Sequence, residues 1–262
     1  MNAPLARYNV PGLERGLRML QLFDRTRKFL TAAEMARAID IPRSTAFRLA
    51  QTLEFLGFLE REGDRYRAGP AVLRLGFEYI ASLEVTELAR PVIERLRDAT
   101  NLSAQLVIRD GSEVVVVLKA SPPSTFASNV TVGTRLPAHA TILGRVLLSD
   151  ADDRTLQALY PDAMLPQHSA RAPRTLADLK RLIREDRARG YAVSESFFEQ
   201  GISAVAAPVR DQTGTIVATI SVTAQRPTLE PNELRDRLVA QVLGAAGELS
   251  RQLNYRPADA AA

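Results

Sequence analysis

The spacing of apolar residues changes twice along the chain. In the first part apolar residues recur every three or four positions, which predicts helices over residues 12–25, 31–39 and 42–56. Residues 58–68 read as two short extended segments about a Gly-containing turn, which predicts a β-hairpin. From residue 84 onward, helical and alternating segments are interspersed. The pattern therefore predicts a mostly helical first part and a mixed second part.

The second and third predicted helices carry local start and stop signals. Thr31 and Glu34 fit a capping box, in which each side chain bonds a backbone N–H of the other residue. Pro42 suits the first position of the third helix, and Gly57 suits a left-handed end. Two short helices joined by a turn of a few residues are typical of a helix-turn-helix, with the hairpin as its wing. We expect the buried stripes to be Leu13, Leu17, Leu20 and Phe23, then Met35, Ala38 and Ile39, then Ala46, Leu49, Ala50, Leu53 and Leu56.

The polar side chains of the third helix gather towards its N-terminal end. They are Arg43, Ser44, Thr45, Arg48 and Gln51. A recognition helix enters the major groove with such residues leading, because they can bond phosphates and base edges. Phe47 either touches a thymine methyl or packs against a neighbouring helix, and Arg65 and Arg67 in the hairpin are further candidates for phosphate contacts. An ordinary solvated helix is the alternative, but the capped partner helix, the Gly stop and the wing favour binding to double-stranded DNA.

A helix predicted over residues 71–83 is apolar on more than one side. Its apolar residues are Val72, Leu73, Leu75, Phe77, Tyr79 and Ile80. One neighbouring domain would cover a single stripe, so a second partner surface is needed. A contact in a homodimer or tetramer is the preferred explanation, and burial within the chain is the alternative. We expect a DNA-binding domain over 1–70, a linker helix over 71–83 and a second domain over 84–262.

The second domain mixes strands that pair locally with helices. Asp110-Gly111 between two apolar strands is a strong hairpin signal. Further strands are predicted over 191–200, 202–211 and 215–225, with helices over 86–101, 139–150, 175–190 and 231–254. This order predicts an α+β domain with an antiparallel sheet. The last residues, from 255 on, are expected to fray.

Composition and charge narrow the class of protein. The chain of 262 residues is 46% hydrophobic and 24% charged, as in ordinary soluble globular proteins. No apolar run could span a bilayer and no signal peptide is evident, so we expect a cytoplasmic protein without a membrane partner. The absence of cysteine excludes disulfides and iron–sulfur sites. Residues 1–80 hold 13 basic and 9 acidic residues, which accounts for the whole net charge of +4 and favours a polyanionic partner.

An enzyme would need a nucleophile, an acid–base pair or a cofactor cradle. The only histidines, His139 and His168, are too isolated for a metal site, and we expect a structural hydrogen bond for the first and solvation for the second. The glycine motifs that bind phosphates and the nucleophile elbow are absent, and Glu195 and Glu199 are interpreted as surface or loop charges. We therefore expect no catalytic residue, cofactor or metal. An enzyme, or a ligand-binding module whose N-terminal domain does not bind DNA, is the alternative.

Several segments together resemble one family. LERGLRMLQLF, TAAEMARAIDIPRSTAFRLAQTLEFLGFLER and YRAGPAVLRLG resemble the N-terminal domain of IclR-type bacterial transcription regulators. The resemblance continues through VGTRLPAHATILGRVLLS and RGYAVSESFFEQGISAVAAPVRDQTGTIVATISV. The first of these two segments looks closest to the branch of the family that regulates aromatic-acid catabolism. The resemblance implies a winged helix-turn-helix, a linker helix and a GAF-like effector-binding domain, in dimers or tetramers that bind palindromic operators near catabolic genes.

The resemblance also implies which residues hold the effector. They are Ile142, Leu143, Ser194, Ala204, Ser221 and Thr223. Alternation along the last strand puts both of its hydroxyls, Ser221 and Thr223, on one face, where they meet a ligand or else solvent and neighbouring backbone.

This chain departs from the members that bind small oxo-acids. Those members carry small residues at positions 142 and 143, and an Asp and a Cys at positions 194 and 204. Apolar walls with a few hydroxyls favour a flatter and more hydrophobic acid. We therefore expect an aromatic or similarly apolar carboxylate, bound through Ser194, Ser221 and Thr223.

Overall fold

The computed structural model describes residues 9–24, 26–81, 83–123, 130–162 and 164–256. The chain divides into two units between residues 82 and 83. The predicted frayed tail falls mainly on residues 257–262, outside the described residues, and the side chain of Phe77 is also outside them. No helix among the described residues is long and apolar enough to cross a membrane.

The first unit is a helix-turn-helix with a hairpin wing, as predicted, and a third short strand that was not predicted completes a small sheet. Its elements are α1 (Pro11–Leu20), β1 (Leu30–Thr31), α2 (Ala32–Ala38), α3 (Arg43–Phe55), β2 (Leu59–Glu62), β3 (Arg65–Ala68) and α4 (Ala71–Ala81). The strands pair antiparallel in the order β1-β3-β2, so the wing hairpin β2–β3 is tied to the segment that precedes α2.

The local signals at α2 and α3 form the predicted contacts. The Glu34 backbone N–H donates to Thr31 Oγ1 at 3.2 Å, and the Thr31 N–H donates to the Glu34 carboxylate at 2.7 Å, which completes the capping box. At the end of α3, Gly57 has φ of +77°. Its N–H donates to the Glu54 carbonyl and the Phe58 N–H donates to the Leu53 carbonyl, which is the Schellman arrangement that a glycine in this conformation permits.

The predicted buried stripes of the first unit are partly wrong. Leu13 and Leu17 of α1 are 63% and 53% exposed, whereas Met19 is fully buried. Periodicity identifies an apolar stripe but not which of two adjacent stripes meets the core. Leu56 is exposed because it follows the last turn of α3, and Ala38 is exposed at the end of α2. The buried core consists of Met19, Ala32, Met35, Ala36, Ala46, Ala50, Leu59 and Tyr66.

The second unit is an α+β domain built on one antiparallel sheet, as predicted. Its helices are α5 (Glu84–Thr100), α6 (Ile142–Leu147), α7 (Asp153–Leu159), α8 (Leu176–Arg189) and α9 (Asn232–Gln252), and its strands are β4 (Ser103–Asp110), β5 (Glu113–Ala120), β6 (Arg135–Pro137), β7 (Ala192–Glu195), β8 (Ser203–Arg210) and β9 (Ile216–Ala224). The strand order is β6-β5-β4-β9-β8-β7. The hairpin at Gly111, where φ is +61°, is confirmed. The short β6 and α7 had no clear pattern, and β7 is much shorter than predicted.

The sheet separates two apolar cores. On one face α5 and α9 pack over Leu106, Val205 and Ile220. On the other face α6, α7 and α8 pack over Val107, Val116 and Ala206. Neighbouring positions of the same strand therefore point into different cores, as a pleated strand requires.

A close contact at α6 positions its first turn over the sheet. Thr141 caps the helix by accepting the Gly144 N–H at 3.1 Å. A Cβ at position 144 would lie 2.1 Å from the Ala138 carbonyl oxygen, so the approach of the Ala138–Ala140 3₁₀ turn requires glycine there. The Thr219 hydroxyl on β9 donates to the Leu143 carbonyl at 3.4 Å, and thus Ile142 and Leu143 lie above the middle of the sheet.

Candidate functional sites

The outer face of α3 carries the polar residues that the sequence singled out. Arg43, Ser44, Arg48 and Gln51 are exposed and Thr45 is half-buried. At 100° per residue, the four exposed ones fall within an arc of about 140° that does not include the buried Ala46 and Ala50. Phe47 falls on the same arc and is 40% exposed, so it belongs to the outer face rather than to the core.

Arg65 and Arg67 of the wing differ in whether their side chains form an ion pair. Arg65 is exposed, and no ion pair of its side chain is found among the described residues. Arg67 Nη2 lies 2.7 Å from a Glu60 carboxylate oxygen, which partly neutralises it. Sequence reasoning missed Arg61, whose guanidinium carbon is 5.9 Å from the centre of the Tyr66 ring. Arg61 lines the same shallow depression as Arg43 and Phe47.

In the second unit, a cavity of about 180 Å³ lies on the sheet face that α6 covers. Its floor includes a row of small residues, three of them with hydroxyls, that are neighbours across four strands: Ser194 on β7, Ala204 on β8, Thr223 on β9 and Ser103 on β4. Thr141, Ile142 and Leu143 lie above this floor, with Val130 and Leu136 at the β5 side. Phe198, Glu199 and Ile202 come from the loop that follows β7.

Five of the six effector residues implied by the resemblance line this cavity: Ile142, Leu143, Ser194, Ala204 and Thr223. Ser221 does not. It shares the face of Thr223, as alternation predicts, but lies one position further in, between Thr223 and Thr219. Its hydroxyl is fully buried and has no hydrogen-bond partner among the described residues. The alternative that Ser221 faces solvent is therefore wrong.

Two polar residues of the floor were missed by sequence reasoning, Gln105 on β4 and Lys119 on β5. The β4–β5 register pairs Leu106 with Leu118 but Val107 with Val116, so Val117 is an extra residue in β5. This β-bulge brings Lys119 to the face of Val116, although simple alternation would place it on the other face. Lys119 Nζ donates to the Val130 carbonyl at 2.6 Å. Nothing in the run VVVVL indicates the bulge.

Glu195 holds the base of the loop after β7, and its interpretation as an ordinary surface or loop charge is wrong. Its carboxylate accepts the Leu229 N–H at 2.9 Å and pairs with Arg235 at 2.6 Å. The Leu229 N–H and then Arg235 hold the pKa of Glu195 below its usual range. Glu199, by contrast, is exposed at the cavity.

Arg145 of α6 and Asp186 of α8 form a buried ion pair that the sequence did not indicate. Arg145 Nε lies 2.7 Å from Asp186 Oδ2, and both side chains are buried. The other oxygen of Asp186 is 2.6 Å from Arg189 Nη2. The Arg145 guanidinium also stacks on Phe197, 4.7 Å from the ring centre, and Phe197 belongs to the loop that borders the cavity.

The histidines lie as the sequence suggested. His139 is buried and its Nε2 is 2.8 Å from the Pro166 carbonyl oxygen, and burial lowers its pKa below the usual value. His168 is exposed, with its ring centre 5.4 Å from that of His139. No group of His, Cys, Asp or Glu with the geometry of a metal site occurs within the described residues.

A winged helix-turn-helix with a polar recognition face, followed by an α+β unit that encloses a cavity of ligand size, defines a ligand-responsive transcriptional regulator. The chain belongs to the IclR family: residues 77–251 match the bacterial transcriptional regulator IclR C-terminal domain, and residues 12–63 match the IclR helix-turn-helix domain. The family consists of DNA-binding regulators with an effector-binding domain and not of enzymes.

Relatives cover nearly the whole chain. The Pca regulon regulatory protein of Pseudomonas putida is 32% identical over 92% of this chain and 83% of its own. The crystal structure of an IclR transcriptional regulator from Alicyclobacillus acidocaldarius has a TM-score of 0.81 at 26% identity, covering 94% of this chain and all of that one. An IclR homologue from Microbacterium hydrocarbonoxydans, complexed with 4-hydroxybenzoate, has a TM-score of 0.79 at 24% identity, covering 93% and 99% of the two chains. At that identity, the last comparison concerns the fold alone.

Proposed function

We propose that this regulator acts in the cytoplasm as a homodimer or tetramer that binds a palindromic operator and responds to a small aromatic carboxylate. Residues 1–70 form the DNA-binding domain, residues 71–83 the linker helix and residues 84–262 the effector-binding domain. The division of the chain after residue 82 supports this assignment. The observation that carries the effector proposal is the lined cavity beneath α6.

The proposed DNA contacts are those of α3 and the wing: Arg43, Ser44, Thr45, Arg48, Gln51, Arg65 and Arg67. Replacing a base-reading arginine by alanine costs about 1–3 kcal/mol of binding and relaxes specificity at one base pair. Replacing a phosphate contact weakens all sequences alike and lowers the salt slope by about one. Arg67 is already paired with Glu60, so its loss has a smaller effect than that of Arg65.

Fluorescence anisotropy with DNA from upstream of the gene tests this part. Arg43→Ala and Arg48→Ala should each weaken binding, while Arg181→Ala, which removes an exposed arginine of the second unit, should not. Circular dichroism checks that the variants fold. Unchanged affinity in both recognition-helix variants would contradict the assignment.

The oligomer proposal rests on α4. Val72, Leu73 and Leu75 are exposed within the chain, although a helix of this length would not normally leave so many apolar side chains in water. One short recognition helix reads few base pairs, so a selective site needs two copies on paired half-sites. Sedimentation at micromolar concentration should show a species larger than the 28.7 kDa chain. A monomer alone, or a Leu73→Glu variant that assembles like the wild type, would argue against this role of α4.

The effector proposal rests on the size and chemistry of the cavity. A volume of 180 Å³ suits a single ring, because a cavity of about 150 Å³ holds benzene. Ile142, Leu143 and Leu136 provide apolar walls, and Ser194 and Thr223 provide hydroxyls at the floor. The buried Ser221 hydroxyl gains a partner if a ligand group reaches the inner part of the floor. The relative named for the Pca regulon is consistent with such a ligand.

Thermal-shift measurements with benzoates and with short aliphatic acids test the ligand class, because binding to the native state alone raises the melting temperature. Aromatic acids should stabilise the wild type more than aliphatic acids do. The shift should decrease in Ser194→Ala and Thr223→Ala, and persist in Thr213→Ala, whose hydroxyl lies in the turn between β8 and β9. Stabilisation by short aliphatic acids only would contradict the proposal.

A further inference from the structure

Next to the row of Ser194, Ala204, Thr223 and Ser103 lies a second polar row, and the family resemblance pointed to only one of its members, Ser221. In register across the sheet, Ser221 on β9 lies opposite Gln105 on β4, and Gln105 lies opposite Lys119 on β5. Side chains that are directly opposite in an antiparallel pair have their Cβ atoms about 5 Å apart. The Gln105 and Lys119 side chains therefore start from neighbouring positions at the β4–β5 side of the cavity, which both residues line, and Lys119 Nζ donates to the Val130 carbonyl there.

Gln105 lines the cavity, and its amide has no hydrogen-bond partner among the described residues. The residue as a whole is only 7% exposed. An amide with so little access to solvent is stabilised when water or a ligand bonds to it. Its position in the cavity lining thus indicates a ligand with a polar group at this edge.

The charges of the lining residues are separated across the sheet. Lys119 lies on β5, and Glu199 follows β7, with β4, β9 and β8 between those strands. A ligand carboxylate placed towards β7 would face Glu199, whereas at the β5 edge it would face Lys119. The other basic residues of the unit, such as Arg145 and Arg171, do not line the cavity. The charge distribution therefore favours one orientation of an acid.

On the basis of the proposed function, we propose that Lys119 and Gln105 form the carboxylate subsite of the effector. Lys119 Nζ supplies the cation and the Gln105 amide supplies an N–H, while the ring extends under Ile142 and Leu143 towards Ala204. The uncharged end of the ligand faces Ser194 and Glu199. The acid-recognising residues of this chain thus come from β4 and β5, and the bulge at Val117 is what brings Lys119 to them.

Calorimetric titration of the purified full-length chain with benzoate, 4-hydroxybenzoate and benzamide measures how much the ligand's negative charge contributes to affinity, because benzamide has a similar shape but no charge. A hydrogen bond to a charged group is worth about a 10- to 100-fold change in affinity. The wild type should prefer the acids to the amide by such a factor. Lys119→Met should abolish most of that preference while it leaves benzamide binding unchanged, and Lys119→Arg should retain it. Lys180→Met, which removes a surface lysine of the same unit, should behave like the wild type.

Gln105→Glu provides a second variant in case Lys119→Met does not fold. The added negative charge should weaken the acids more than the amide. If the wild type prefers the aromatic acids and both variants keep that preference, the subsite is overturned while the effector proposal stands. If the wild type binds no aromatic acid, the effector proposal fails and the subsite with it.

Discussion

Replacing Asp186 by alanine would leave the buried Arg145 guanidinium without a counter-charge. Arg145 Nε bonds Asp186, its Nη1 is buried and has no partner among the described residues, and its remaining stabilising contact is the face of Phe197. Removing one member of a buried ion pair costs about 3–5 kcal/mol, because the other charge stays buried and unpaired. We therefore expect Asp186→Ala to lower the free energy of unfolding of the second unit by that amount.

Removing Arg145 instead should lower the free energy of unfolding by less, because Asp186 keeps a second basic partner. In Arg145→Met, Asp186 still has Arg189, whose side chain is 46% exposed and whose Nη2 lies 2.6 Å away. We expect a loss of about 1–3 kcal/mol, the usual cost of removing one partner of a buried hydrogen bond. The double variant Arg145→Met/Asp186→Leu should recover much of the loss, since apolar replacements of a buried pair are often neutral.

Urea unfolding followed by circular dichroism, at one chain concentration throughout, measures these differences. In thermal unfolding of a unit of this size, each kcal/mol corresponds to about 2–4 °C in melting temperature. Asp186→Ala should therefore melt about 6–20 °C lower than the wild type. Equal losses in the two single variants would refute the argument that Arg189 protects Asp186. A double variant less stable than Asp186→Ala would refute the argument that the unpaired Arg145 charge is the main cost.

Three smaller changes test other contacts. Thr31→Ala removes the N-cap of α2 and should cost about 0.5–2 kcal/mol in the first unit, measured by urea unfolding. Gly144→Ala places a Cβ against the Ala138 carbonyl and should reduce both stability and any ligand-induced thermal shift, whereas Gly247→Ala, which has room in α9, should do neither. Burial lowers the pKa of His139, so the folded state resists protonation. The stability this contributes is present above the unfolded pKa of about 6.5 and is lost as the pH falls through the lower folded value. The unfolding free energy measured from about pH 8 down to about pH 5 should thus fall less in His139→Gln than in the wild type.

Features that depend on a few adjacent residues could be predicted from the sequence. The capping box of Thr31 and Glu34, the glycine end of α3 and the hairpin at Gly111 each form from residues within a short segment. Such contacts are nearly independent of the rest of the fold, and the helix-turn-helix follows from them. The fold class of the second unit follows in the same way from the order of its strands and helices.

Features that depend on distant partners could not be predicted. The buried side of α1 is decided by Met19, which fills the core that α2 and α3 leave open, while the equally apolar Leu13 and Leu17 stay exposed. The Arg145–Asp186 pair joins residues 41 positions apart on two helices. No local pattern distinguishes these two charges from the solvated ones around them.

The position of the cavity itself follows from side-chain size on the two faces of the sheet. On β8 and β9 the face towards α5 and α9 carries Val205, Val209, Ile220 and Val222, which fill their core. The face towards α6 carries small residues instead, among them Ala204, Ser221 and Thr223. Small side chains cannot fill the space beneath Ile142 and Leu143. Larger side chains on this face would close it, because protein interiors are closely packed. A strand that alternates large apolar with small polar residues is therefore a sequence signal for a cavity, and it marks β9 here. It does not reveal Lys119, because a bulge changes which face a residue occupies without changing the composition of the strand.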